Sequence, residues 1–135
     1  MNGGPIDWRE LFAASTGRTP RALAWIAVAA LLTASALYEA VAGSTLKVLT
    51  FWIVDPLLLA SGACVISKRL HDRGRSGWWA ALVLLAFVLV WPSPYGARAV
   101  VALPVLIWAV VELGLLPGEP GANRFGPSPL TPATN

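Results

Sequence analysis

The stretch "KRLHDRGRSGWW", residues 68–79, decides how this chain is read. It packs four cations, a histidine and an aspartate between two long apolar runs and closes on two tryptophans. Working outward, apolar segments cover 47–67 before it and 76–92 after it, and two more cover 22–42 and 98–116. A helix that crosses a bilayer needs about 20 apolar residues. The first, second and fourth segments meet that length. The third reaches it only when Ser76 and Gly77 are added to its apolar part, and its tryptophans at both ends suit the two membrane interfaces. The pattern predicts an all-α integral membrane protein. It has four transmembrane helices, a short N-terminal interfacial helix and a Gly/Pro-rich C-terminal tail, in one domain over residues 1–135.

Composition agrees with that class. Apolar residues make up 56% of the chain and charged ones 13%. A soluble domain carries about 25% charged residues, so this chain lacks the charge to cover itself in water. The single cysteine, Cys64, excludes an internal disulfide, and with one histidine it leaves no zinc cluster of the usual kind. No metal or cofactor is expected. The first apolar run exceeds a signal-peptide core, and 21 fairly polar residues precede it. It is expected to remain as a membrane helix.

The cations set an expected threading. With four spans, one side holds Arg9, Arg18, Arg21, Lys68, Arg69, Arg73, Arg75 and Arg124, and the other holds Lys47 and Arg98. Lysine and arginine favour the cytoplasmic side. Both termini of this multi-pass chain are therefore expected on the cytoplasmic side. Ahead of the first span, Pro5 suits a first helical turn. Trp8, Leu11, Phe12 and Ser15 share one helical face, as in a helix lying in the interface.

Three motifs lie on the cation-rich side. "GRTPRALAW" (17–25) resembles a G-R-x-x-R-x-x-x-W signature, and the central stretch resembles R-L-H-D-x-G-x-S-G-W-W. "PGEPGANRFGPSP" (117–129) resembles G-x-x-G-x-N-R-[FY]-G-x-x-P. Together they resemble the bacterial family called domain of unknown function 805, over almost the whole chain. Pro20 departs from the small polar residue more usual there. The resemblance implies a small multi-helix inner-membrane protein and supplies no activity.

Several residues are candidates for binding. Arg69, Arg73, Arg75 and Ser76 surround the expected start of the third helix, with Ser76 as its cap. Free N–H groups and arginines at such a place suit an anion, above all a phospholipid headgroup. The plainer alternative is a capped turn whose charges set topology. Arg18, Arg21, Lys68, His71, Asp72, Asn123 and Arg124 are expected to form a cytoplasmic cap, with Asn123 bonded to turn backbone and Arg124 paired with Asp72. His71 beside Asp72 has the composition for acid–base work, but no nucleophile accompanies it.

Three acids fall within the spans: Glu39, Asp55 and Glu112. An ionisable group there is costly and is functional by default. Asp55 precedes Pro56, whose missing N–H frees a carbonyl one turn back. Glu112 is within reach of the cationic cap.

The first functional reading is a structural, accessory or binding protein whose basic cap engages anionic lipid or a partner protein. A small oligomeric channel or transporter using the intramembrane acids is the alternative. An enzyme is not expected. The partners expected are the lipid bilayer and a membrane-protein partner or second copy. Nucleic acid is not among them.

Overall fold

The computed structural model describes residues 6–91 and 93–129. Its helices in chain order are α1, Trp8–Ala13; α2, Arg21–Val41; α3, Ser44–Asp72; α4, Trp79–Val90; and α5, Ala97–Ala109. The last runs on into a π-helical turn, Val110–Leu115. There is no β-strand among the described residues, only an isolated bridge between Asn123 and Gly126.

Two boundaries differ from the sequence expectation. The second span was expected over 47–67, yet α3 continues through Lys68–Asp72, so half of the supposed loop is helix. Lysine, arginine and leucine are good helix formers, and the first residue that breaks the run is Gly74, at φ +67°. That left-handed conformation ends a helix most cheaply at glycine. The third segment was expected over 76–92, but α4 has only 12 residues. Ser76 and Gly77 belong to the preceding turn. Trp91 is extended at the other end, as a residue before proline tends to be. Pro92 lies outside the described residues.

Helix α1 starts after Asp7, which caps it, its side chain accepting from the Glu10 backbone N–H at 3.1 Å. Ser15 lies beyond its end, and Pro5 falls outside the described residues. Leu11 is buried, whereas Trp8 is half exposed and stacks on Phe12.

Among the described residues, three helices are long and apolar enough to cross a membrane: α2, α3 and the run Ala97–Leu115. At 1.5 Å per residue, α4 is only about 18 Å long, short of the roughly 30 Å hydrocarbon core. Helix α3, with 29 residues, is about 44 Å long and outreaches that core.

Packing is economical and small-residue based. One cluster joins Leu11, Ala27 and Val65, a second joins Leu70, Ala80, Val83, Ala109 and Leu113, and a third joins Ala86, Val90, Ala99 and Ala102. Alanine lets helix backbones approach closely where lipid tails, rather than water, surround them. The rest of each helix faces outward: only 6% of the most apolar window of α3 is buried within the protein. Leu37, Val48, Leu49, Trp52 and Leu57 are all more than half exposed. An apolar surface so extensive requires a nonaqueous covering.

Helices α2, α3, α4 and α5 enclose a cleft of about 680 Å³. At one end of the bundle the clefted part gives way to a dense polar cap.

Candidate functional site

The cap is built on Asp72, the last residue of α3. Its carboxylate is 4% exposed and receives two arginines. Arg18, from the chain ahead of α2, donates through Nε to Oδ1 at 3.0 Å. Arg69, one turn earlier on α3, donates to Oδ2. Both guanidinium groups are 2% exposed. A buried charge must be matched by opposite charge and hydrogen bonds, and each arginine is matched further. Arg18 donates to the carbonyls of Glu119 at 2.7 Å and Gly121 at 2.6 Å. Arg69 donates to those of Leu113 at 2.7 Å and Leu116 at 2.6 Å.

The carbonyls of residues 113–117 have a shared origin. They end α5 and its π-helical turn, where backbone acceptors run out of helical donors. Each meets a side chain from another element. Leu113 and Leu116 accept from Arg69, and Gly114 accepts from Trp25 Nε1 at 3.0 Å. Leu115 accepts from Arg21 at 2.8 Å, and Pro117 accepts from Arg73. Cations at a helix C-terminus also oppose its negative dipole end. The positive cluster is thus matched to a helix end as well as to carboxylates.

Glu112 forms the second centre. Arg75 Nε lies 2.8 Å from its Oε1, and Arg73 Nη2 lies 3.2 Å from the same oxygen. Arg75 also sits over the Trp108 ring. Glu112 therefore belongs to the cap.

The tail closes over the end of α3. Asn123 and Gly126 exchange two backbone hydrogen bonds at 3.0 Å, which makes a tight turn. Asn123 Nδ2 donates to the His71 carbonyl at 2.9 Å, and the Phe125 ring stacks on the His71 imidazole at 4.0 Å. His71 Nδ1 faces the Gly17 carbonyl at 3.2 Å. Glycine is obligatory at Gly118, where a Cβ would stand 2.0 Å from Asp72 Oδ2. On the opposite side Lys68, itself buried, donates to the Glu10 carbonyl and so ties α1 to α3.

The three sequence motifs therefore converge on one cap. Arg18, Arg21, Lys68, Arg69, His71, Asp72, Arg73, Arg75, Glu112 and Asn123 all take part. Two expected contacts are not formed. Arg124 does not reach Asp72, whose two oxygens are taken by Arg18 and Arg69. It lies over the Phe125 ring and 3.4 Å from the Gly74 carbonyl. Ser76 is not the N-cap of the third membrane helix, because Trp78 occupies that position with no side-chain cap. The Ser76 hydroxyl is 3.5 Å from the Trp78 N–H, a weak contact at best. Arg69 is buried and spent on Asp72 and two carbonyls, whereas the more exposed Arg73 and Arg75 share Glu112, so the three arginines do not converge on one anion site.

Sequence reasoning passed over Glu119, Phe125, Glu10 and Trp25 as parts of the cap, whereas Gly118 was expected to let the tail fold against the 68–77 stretch, and it does lie against Asp72. For Trp25 a signal existed, since Arg21 and Trp25 fall four residues apart on one face of the first turns of α2. Far from the cap, Glu39 pairs with Lys47, and Asp55 lines the cleft. Among the described residues no group of three or more His, Cys, Asp or Glu side chains is arranged to hold a metal.

Long apolar helices, small-residue packing and a polar lock at one end define a small helical membrane protein. The chain belongs to the family described as Protein of unknown function (DUF805), whose model matches residues 12–127, a span that includes nearly all of the cap. It is similar to the uncharacterized protein YiiR of Escherichia coli, with 40% identity over 79 residues, 51% of this chain and 53% of that one. It is also similar to the inner membrane protein YhaH of Escherichia coli, with 39% identity over 63 residues, 46% of this chain and 37% of that one. The chain thus spans about half the length, or less, of these relatives. No solved structure matches it.

Proposed function

We propose that this protein is a non-catalytic accessory or binding protein of the bacterial inner membrane, with its cap in the cytoplasm and its outward cations on anionic lipid headgroups. The observation that supports this reading is a division of labour within the cationic cluster. Arg18 and Arg69 are enclosed and spent on Asp72 and helix-end carbonyls. Arg9, Arg21, Arg75 and Arg124 belong to exposed residues. The cap carries seven cations (Arg18, Arg21, Lys68, Arg69, Arg73, Arg75 and Arg124) against four acids (Glu10, Asp72, Glu112 and Glu119). Seven cations against four acids leave the cap with a formal net charge of +3. Basic residues beside an anionic leaflet contribute about 1 kcal/mol each to its attraction.

The chemistry within the cap supports a binding role over catalysis. His71 is occupied by the Gly17 carbonyl and covered by Phe125, and the neighbouring Ser67 hydroxyl, one turn earlier on α3, donates to the Gly77 carbonyl at 3.2 Å. A channel reading would draw on Glu39 and Asp55 alone, because Glu112 is held by Arg73 and Arg75.

Native mass spectrometry of protein extracted in mild detergent tests the proposal. The wild type is expected to retain anionic phospholipid over zwitterionic. Combined R9Q, R75Q and R124Q substitutions should remove that preference. Equal, non-selective retention by both proteins overturns the lipid reading.

A further inference from the structure

The cleft between the helices contains a charge that the cap does not use. Asp55 lies on α3 among the cleft-lining residues and is half buried. Among the described residues it accepts no hydrogen bond. Lys47, eight residues away on the same helix, is paired with Glu39 and interacts with the Asp55 charge only at longer range. Arg69, at the other end of the same cleft, is committed to Asp72 and two carbonyls. The far half of the cleft therefore holds two acids, Glu39 and Asp55, against one cation, Lys47.

The surrounding walls are apolar and aromatic. Trp25, Tyr38, Phe87 and Trp91 line the cleft along with leucine and valine side chains. Its volume, about 680 Å³, lies within the usual range for small-molecule sites. A lipid tail would cover these walls but leave the excess negative charge of Glu39 and Asp55 over Lys47 unbalanced, and an unbalanced intramembrane charge is costly. An anionic ligand would be repelled. A cation with an apolar body satisfies both features, since aromatic faces attract cations as well.

We propose that this cleft binds a lipophilic organic cation, an amine or onium ion with an aromatic or alkyl body, and that Asp55 is its counter-ion. The cap, through Arg69 and Trp25, closes one end of this cleft, and Asp55 lies in the other half; the proposal does not rest on what the cap binds.

The test uses the full chain in nanodiscs of zwitterionic lipid, with tetraphenylphosphonium as probe and tetraphenylborate as a partner of the same shape and opposite charge. Equilibrium dialysis against empty nanodiscs corrects for partition into lipid. Saturable binding of the phosphonium above that background is expected, with none for the borate. D55N should lower the affinity by about tenfold or more, as loss of a charge partner in a partly desolvated site does, and D55E should retain most of it. If D55N fails to fold, as judged by elution profile and circular dichroism, L59W decides. It leaves Asp55 intact and fills the cleft, and should also abolish binding. Phosphonium uptake no greater than that of empty discs overturns the proposal. So does equal binding of the borate, unchanged affinity in a folded D55N, or unchanged affinity in L59W.

Discussion

Asp72 shows how one residue organises many. It is the last residue of a long helix, and its side chain stands between Arg18 and Arg69 with almost no access to solvent. Neutralising it would leave two enclosed guanidinium groups facing each other. Breaking a buried pair from one side costs about 3–5 kcal/mol. Asp72→Asn is therefore expected to lower stability by about that amount, read as the midpoint of thermal unfolding in mild detergent. Arg9→Gln, an exposed substitution in the same protein, should stay within about 0.5 kcal/mol of wild type. A small effect of the first change would show that Arg18 and Arg69 find sufficient partners in the tail carbonyls.

At the scale of elements, the most informative feature is the end of α5. Proline at Pro104 already removes one helical donor, and the π-helical turn widens the chain before it stops. Five successive carbonyls then take side-chain donors from the start of α2 and the end of α3. The helix end is thus a socket into which two other helices plug. Trp25 is the simplest probe, because its indole N–H supplies one of these bonds without charge. Trp25→Phe keeps most of the packing and deletes the donor. The Gly114 carbonyl then loses that partner, at an expected cost of about 1 kcal/mol. The measurement is again thermal unfolding, with slowed or hastened amide exchange at residues 110–116 as the local readout; exchange should quicken.

The whole molecule has two unlike ends. One is cross-linked by ion pairs and capped carbonyls. The other is joined by the Glu39–Lys47 pair and a hydrogen bond between Tyr38 and Thr50. Between them the helices stand apart enough to leave the cleft. The distribution of cations is the ground for the proposal that the cross-linked end faces the cytoplasm. With Cys64 replaced by alanine, single cysteines at Arg9 and Arg124 should resist a membrane-impermeant maleimide applied to the outside of cells, or to right-side-out vesicles. Cysteines at Ser44 and Tyr95 should react. Reaction at Arg9 or Arg124 would reverse or break the proposed threading.

Hydropathy and charge are local properties, so the sequence by itself determined that this chain has long apolar helices, where they lie and which segments carry the cations. It also identified Asp72, Asn123 and the arginines as parts of one cap, through three motifs that are distant in sequence. It did not specify which partner each one takes. Arg18 and Asp72 are 54 residues apart, and nothing in the order of residues distinguishes Arg18 from Arg124 as the mate of Asp72. The helical state of Lys68–Asp72 was similarly hidden, because charge there resembles a loop while backbone propensity allows helix. The carbonyl socket has no sequence signature at all, since every residue carries a carbonyl. The cleft beside Asp55 was equally invisible. Only the relative placement of the helices decided those features, because a shared site exists where elements meet and a cavity where they fail to.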